Sequence, residues 1–245
     1  MELKVLATGS KGNCYILTSY NHEKLIIECG IGIKKILEGL EFNLSGVCGC
    51  VVTHEHKDHS KSIKDIAKRG IEVFATSGTF ECSNIKDMHN KTCIRPLEQF
   101  KVGGFTILPF DTEHDCKEPV GFLIHHEEMG NLLFATDTYY IKYKFPGLNH
   151  IMIECNYDSD ILDENVAENR IHGFLRNRII RSHFELGNVK NFLESNDLKE
   201  VNEIVLIHLS GDNSDPERFK EEIMKCSGCP AYVAGPGLKI NFDLS

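Results

Sequence analysis

An apolar run that breaks directly into THEHKDH constrains this chain more than any other stretch. Residues 47–53, VCGCVVT, read as a buried strand, and His54, His56, Asp58 and His59 follow at once. Side chains alternate faces along a strand, so His54 and His56 project to one side just past its end. Asp58 and His59 fall where the chain turns into the next element, and all four can converge on one small volume. Neutral imidazoles with a carboxylate suit zinc, manganese or iron. A solvated polar turn is the bland alternative, but three histidines and an aspartate within residues 54–59 are seldom left over from packing. The helical zinc-protease motif is absent, because His56 and His59 are too close together for it.

The rest of the chain supplies a frame for that cluster. Residues 3–8, 14–19 and 24–30 read as strands separated by the tight turn GSKGN, and residues 33–40 carry helical apolar spacing. Helices are expected over 60–69, over a short stretch capped by Ser77, over 160–181 as the longest, over 187–195, and over 215–225 behind Asp215-Pro216. Further strands are expected at 71–76, in 100–114, at 120–126, 131–137, 150–156 and 201–210, and in the tail. No linker, composition break or repeat interrupts residues 1–245. Two β-rich halves, each with helices, predict one α/β domain of two packed sheets covered by helices.

Composition narrows the function classes. A net charge of −9 argues against a general nucleic-acid coat. No signal-peptide pattern opens the sequence and no apolar run reaches the length of a membrane span, which predicts a cytoplasmic chain. Its 10 cysteines are then expected as reduced thiols. A zinc site joining Cys226 and Cys229 to Cys48 and Cys50 would need two well-spaced halves, so buried free thiols are the expected reading.

Polar residues recur at the ends of apolar strands, where a rigid backbone can aim side chains into a shared cleft. Glu28 ends LIIE, the 54–59 cluster ends VVT, His114 ends FTILPFDTE, Asp137 ends LLFAT and His208 ends VLI. Any one of these alone reads as a hydrogen-bonded surface group. Together, in this order, they resemble the metallo-β-lactamase fold hydrolases. The resemblance covers nearly the whole chain and implies an αββα sandwich with two divalent metals, zinc or manganese, at one edge of the sheets. By the family pattern His54, His56 and His114 bind one metal, Asp58, His59 and His208 bind the other, and Asp137 bridges them. Glu28 stands where the family usually has an aspartate that orients the site.

Within the family, His56 in place of a glutamate disfavours the flavodiiron branch. The absence of cysteine at Asp137 or His59 disfavours the true β-lactamases. GSKGN, IECNYD, Ser182-His183 and HLSGDN look most like the YycJ-like and related phosphodiesterase groups, whose plan the phage anti-Pycsar cyclic-nucleotide phosphodiesterases share. That likeness implies hydrolysis of a nucleotide phosphodiester by a metal-bridging hydroxide oriented by Asp58. His183 is the candidate to face the substrate phosphate as a catalytic group, with a capping histidine as the alternative. Arg181 and Asn188 are candidate substrate-binding residues, although a solvated helix face is the ordinary reading of Arg176, Arg178 and Arg181. His22, His89, His125, His126, His150 and His172 read as surface or core groups. The acidic balance tilts the expected substrate toward a small cyclic nucleotide. A nucleic-acid end cut by an exonuclease is the alternative, followed by an ester, thioester or lactone. A homodimer is compatible with the family.

Overall fold

In the computed structural model, which describes residues 1–85 and 88–244, two seven-stranded sheets lie face to face. In spatial order the first sheet is β14 (Lys239–Asn241), β1 (Glu2–Ala7), β2 (Cys14–Thr18), β3 (Lys24–Ile27), β4 (Val47–Val51), β5 (Val73–Ala75) and β6 (Lys91–Cys93). The second is β13 (Ala231–Val233), β12 (Glu203–Ile207), β11 (His150–Glu154), β10 (Gly130–Ala135), β9 (Val120–His126), β8 (Phe105–Asp111) and β7 (Phe100–Val102). The helices are α1 (Ile33–Gly39), α2 (Lys57–Ser60), α3 (Ile63–Ala67), α4 (Ser77–Cys82), α5 (Ser159–Ala167), α6 (Gly173–Ser182), α7 (Leu186–Glu194) and α8 (Pro216–Ser227).

Period-two alternation explains the layering. Leu3, Val5, Tyr15, Leu17, Leu25 and Ile27 from the first sheet meet Ile107, Phe122, Phe134 and Val205 from the second in a central core. The opposite face of the first sheet, with Ile16, Ile26 and Cys50, packs on Ile36, Ile63 and Ile66 of α1 and α3. The outer face of the second, with Leu133, Ile151 and Leu206, packs on Val189, Phe192, Phe219 and Ile223 of α7 and α8. Each such fully buried side chain contributes roughly 1.5–3 kcal/mol. The order helix, sheet, sheet, helix is the αββα arrangement expected.

Strand direction positions the site. β3, β4 and β5 are parallel neighbours, as are β10, β11 and β12. β8 runs with β10, because both are antiparallel to the β9 between them. The carboxyl ends of β3, β4, β8, β10, β11 and β12 therefore open on one edge, where open α/β sheets bind their ligands.

Several expected elements differ. The 60–69 helix starts at Lys57 and breaks at Ser62, whose hydroxyl donates to the Ile31 carbonyl at 2.6 Å and whose amide donates to Cys29. The 160–181 helix is two helices, parted around Asn169 at φ 59°, where the amides of Arg170 and Ile171 both turn back to the Asn165 carbonyl. Thr76, not Ser77, caps α4 by accepting from the Thr79 amide, and Glu185 caps α7. β6 carries too few apolar residues to announce itself. Cys48 packs on the central core, Cys50 on the outer core of the first sheet, and Cys226 and Cys229 on the far side of the second. No zinc can join them, and the described cysteines are free thiols.

Candidate metal centre

Three strand ends reach the site through the left-handed backbone region. Glu28, Asp137 and His208 have φ of 64°, 46° and 53°. Non-glycine residues adopt this conformation at a cost, and it persists only where the surroundings dictate it. Here each residue leaves the last hydrogen bonds of its strand and swings its side chain over the sheet edge.

The swing brings the sequence candidates together. His54, His56, His114 and Asp137 offer ligand atoms all within 4.8 Å of one another, and so do Asp58, His59, Asp137 and His208. Asp137 belongs to both sets. Its Oδ2 lies 3.4 Å from His54 Nε2, 3.3 Å from His59 Nε2 and 3.4 Å from His114 Nε2. Asp58 Oδ2 lies 3.4 Å from His59 Nε2 and 3.5 Å from His208 Nε2. Glu28 is buried, accepts from the Thr53 amide at 3.2 Å, and holds its other oxygen 3.5 Å from His59 Nδ1 without an aligned hydrogen bond.

The tautomers test whether a cation fits. His114 Nδ1 is 2.8 Å from the Ser182 carbonyl, which can only accept, so that nitrogen carries the proton. A neutral His114 then turns its Nε2 lone pair toward the Asp137 carboxylate and toward His56 Nδ1 at 3.1 Å. Burial pushes His114 down to about 4, even against the pull of Asp137, so no proton fills that gap at neutral pH. Burial, with His59 alongside, pushes His54 down to about 4 as well. Lone pairs converging on a buried carboxylate are repulsive unless a cation lies among them, and imidazole nitrogen with carboxylate oxygen is a donor set that divalent transition metals accept. In the second set His208 and His59 are pulled the other way. Burial would lower both, but Asp137 with Asp58 and Glu154 raises His208 to about 10, and Asp137 with Glu28 raises His59. Asp137 itself stays anionic despite its burial because His208 and His59 surround it. The residues fit divalent metal.

Glu154 is the site residue that strand-end reasoning passed over. It ends β11, is fully buried, and lies with one oxygen 2.8 Å from His183 Nδ1 and 2.9 Å from His208 Nδ1. Its other oxygen accepts from the Thr138 and Phe184 amides at 3.1 and 3.2 Å. A single acid after HIMI was the available signal. Asn13 and Asn156 also escaped notice: Asn13 Nδ2 lies 3.2 Å from His59 Nε2, and Asn156 donates to the His208 carbonyl at 2.8 Å.

His183 is the first residue after α6 and its ring stacks on His208 at 5.5 Å. It lines a cavity of about 550 Å³ together with His56, Asp58, His114, Asp137 and His208, with Arg170 and Arg178 on the rim. Arg181 is exposed outside that cavity, and Asn188 lines a different one. Both depart from expectation: Arg178 lines that cavity where Arg181 does not, and Asn188 lines the neighbouring groove with Tyr139 and Phe184. A larger cavity of about 650 Å³ around Lys4, His22 and Glu41 contains none of the clustered groups.

The profile of the Beta-lactamase superfamily domain matches residues 25–208. The chain belongs to this family. It is a hydrolase of the metallo-β-lactamase fold. Exodeoxyribonuclease YycJ of Bacillus anthracis is 28% identical over 98% of this chain and 94% of its own. The Anti-Pycsar protein Apyc1 of Bacillus phage 010DV004 is 33% identical over 73 residues, 27% of this chain and 28% of its own. Among solved structures, the metallo-beta-lactamase fold protein YhfI from Bacillus subtilis superimposes with a TM-score of 0.74 at 16% identity, covering 98% of each chain. A diphosphatase from the PhnP family gives 0.67 at 15%, covering 99% of this chain and 98% of that one. At such identities the structures share the fold alone. Among the described residues no helix is long and apolar enough to cross a membrane.

Proposed function

We propose that this chain is a dinuclear metal phosphodiesterase acting on nucleotide phosphodiesters. The observation that carries the reading is the sharing of Asp137 Oδ2 between two ligand sets beside His183, which lines the same cavity. In this reading His54, His56, His114 and Asp137 hold one divalent ion, and Asp58, His59, His208 and Asp137 hold the second. Two such ions supply Lewis acidity toward a phosphoryl oxygen and hydroxide at neutral pH. Asp58, partly open to the cavity, orients the nucleophile. His183, fixed by Glu154, holds a hydrogen bond or proton toward the phosphate or leaving oxygen. Glu28 and Glu154 set the imidazole orientations from behind.

The acidic balance pointed to a small cyclic nucleotide. The full-length likeness to an exodeoxyribonuclease outweighs that charge argument, because the anti-Pycsar likeness spans only 27% of the chain. A DNA end is therefore the substrate we favour, with a cyclic nucleotide second. Hydrolysis of bis-p-nitrophenyl phosphate, single-stranded DNA, cyclic mononucleotides and a thioester should be compared after reconstitution with zinc or manganese. Cleavage of DNA from its ends supports the reading. Turnover of the thioester alone would overturn it.

A further inference from the structure

Beside the metal centre lies a second cavity of about 550 Å³ that the reaction does not use. Its floor is apolar, formed by Ile141, Phe184 and Phe192, all nearly buried. Tyr139 and Tyr140 stand over it, 39% and 56% exposed, and neither phenol has a hydrogen-bond partner among the described residues. Large aromatic rings left in water on a single loop are unusual for a surface that binds nothing.

The loop is rigid. The hydroxyl of the buried Thr138 accepts from the amides of Glu113 and Tyr140, at 3.0 and 3.3 Å, and donates to the Tyr140 carbonyl at 2.8 Å. The Tyr139 amide donates to the Glu113 carbonyl at 3.2 Å. The two rings are thus held in water by their backbone. On the facing helix, Asn188 and Asn191 are three residues apart and share one face, and among the described residues their carboxamides have no hydrogen-bond partner. Lys144 lies on the rim with no ion pair among the described residues, and Lys142, bonded to Asp111, sits over the Tyr143 ring at 5.1 Å.

The groove and the metal centre are lined by neighbouring residues of the same chain segments. Tyr139 is two residues from Asp137, no more than about 7 Å of chain, and Phe184 directly follows His183. Both wall segments hang from one carboxylate, since Glu154 accepts from the Thr138 and Phe184 amides.

We infer that this groove is a base-binding subsite for a single-stranded polynucleotide whose neighbouring phosphate lies at the metal centre. Aromatic faces offer stacking to any base, the two carboxamides offer donors and acceptors to a base edge, and Lys142 and Lys144 in the lining offer positive charge to a phosphate backbone. A protein partner would use the apolar floor and rings, whereas the carboxamides and lysines around them suit a base edge and a phosphate backbone. The inference rests on the phosphodiesterase reading for the location of the scissile phosphate, but the binding surface is testable by itself.

The test uses the full-length chain with Tyr139→Ala and Tyr140→Ala combined, the Phe counterpart, and Lys144→Ala. Fluorescence anisotropy with a phosphorothioate single-stranded oligonucleotide, with and without chelator, reads binding. Bis-p-nitrophenyl phosphate turnover by the metal-loaded protein reads the centre. The double Ala variant should bind the oligonucleotide about tenfold more weakly, the scale of one lost stacking contact. It should keep bis-p-nitrophenyl phosphate turnover within about twofold, and the Phe variant should restore binding because stacking needs no phenol. Lys144→Ala should flatten the salt dependence of binding. Undiminished oligonucleotide binding by the Ala variant, or equal loss on both readouts with no rescue by Phe, would overturn the inference. Absence of any phosphodiester turnover alongside tyrosine-dependent binding would remove the enzymatic reading and leave the subsite standing.

Discussion

Glu154 Oε1 stands 2.8 Å from His183 Nδ1, and it does so from the last residue of a fully buried strand, directly after the apolar run Ile151-Met152-Ile153. A carboxylate in that setting is costly without partners. Its partners are two of the imidazoles that line the cavity, His183 and His208, and two backbone amides. Glu154 thereby fixes which nitrogen of His183 and of His208 is turned toward the centre.

Replacing that carboxylate should separate positioning from ligation. Glu154→Gln keeps shape but weakens the charge-assisted bonds, and turnover should fall about 10- to 100-fold, the usual effect of losing a group that orients a metal ligand. His183→Ala should lose most phosphodiester turnover while retaining metal. Metal content by atomic emission beside steady-state kinetics checks both, and full activity with normal metal would remove His183 from the mechanism.

Asp137 and His114 should differ in how much metal they forfeit. Asp137→Ala removes an atom common to both sets and should abolish stable binding of either ion. His114→Ala touches only the first set and should leave about one equivalent. Dialysis against chelator, followed by titration with zinc or manganese, reads the stoichiometry. Two equivalents retained by Asp137→Ala would rule out the shared role.

Metal uptake should release protons. In the metal-free protein Asp137, Asp58 and Glu154 hold His208 near 10, so at neutral pH that imidazole is protonated and must lose a proton to ligate. The sign follows: affinity rises as pH rises from 6 to 8, by up to about tenfold per unit for each proton displaced. Calorimetry in buffers of different ionisation enthalpy counts the protons, and pH-independent affinity would contradict the arrangement.

Gly30 should tolerate no side chain. An added Cβ would lie 1.6 Å from the Asp58 carbonyl oxygen and 2.6 Å from the His59 amide nitrogen, both backbone atoms of the ligand loop. Gly30→Ala should destabilise by roughly 3 kcal/mol or more and weaken metal binding with it. Gly32→Ala, with nothing within 4 Å of its Cβ, should fold normally. Urea melts of the two variants make the comparison.

Much of the fold and of the clustered site was legible because period-two strands and terminal polar groups are local signals. THEHKDH, Asp137 and His208 announce themselves by chemistry at strand ends. Glu154 obeys the same rule, yet a lone glutamate in a chain with 36 acidic residues has no local mark of its burial. The break between α5 and α6 was hidden for a different reason. Asn165 donates to the Asp212 carbonyl at 2.8 Å and to Asn213 at 2.9 Å, contacts made across 47 and 48 residues of sequence. Which of Arg178 and Arg181 lines the cavity, and which cavity Asn188 lines, depends on helix orientation against other elements, and spacing alone does not carry that.

The sheet edge itself has a mechanical consequence. His54, His56, Asp58 and His59 follow a strand of the first sheet, while His114, Asp137 and His208 follow strands of the second. Ions held by both groups would act as a clasp across the sandwich, closing its open rim where the apolar core ends. Prying the sheets apart would then require breaking coordination before core, so the loaded protein should resist pulling and proteolysis far longer than its equilibrium stability alone would suggest.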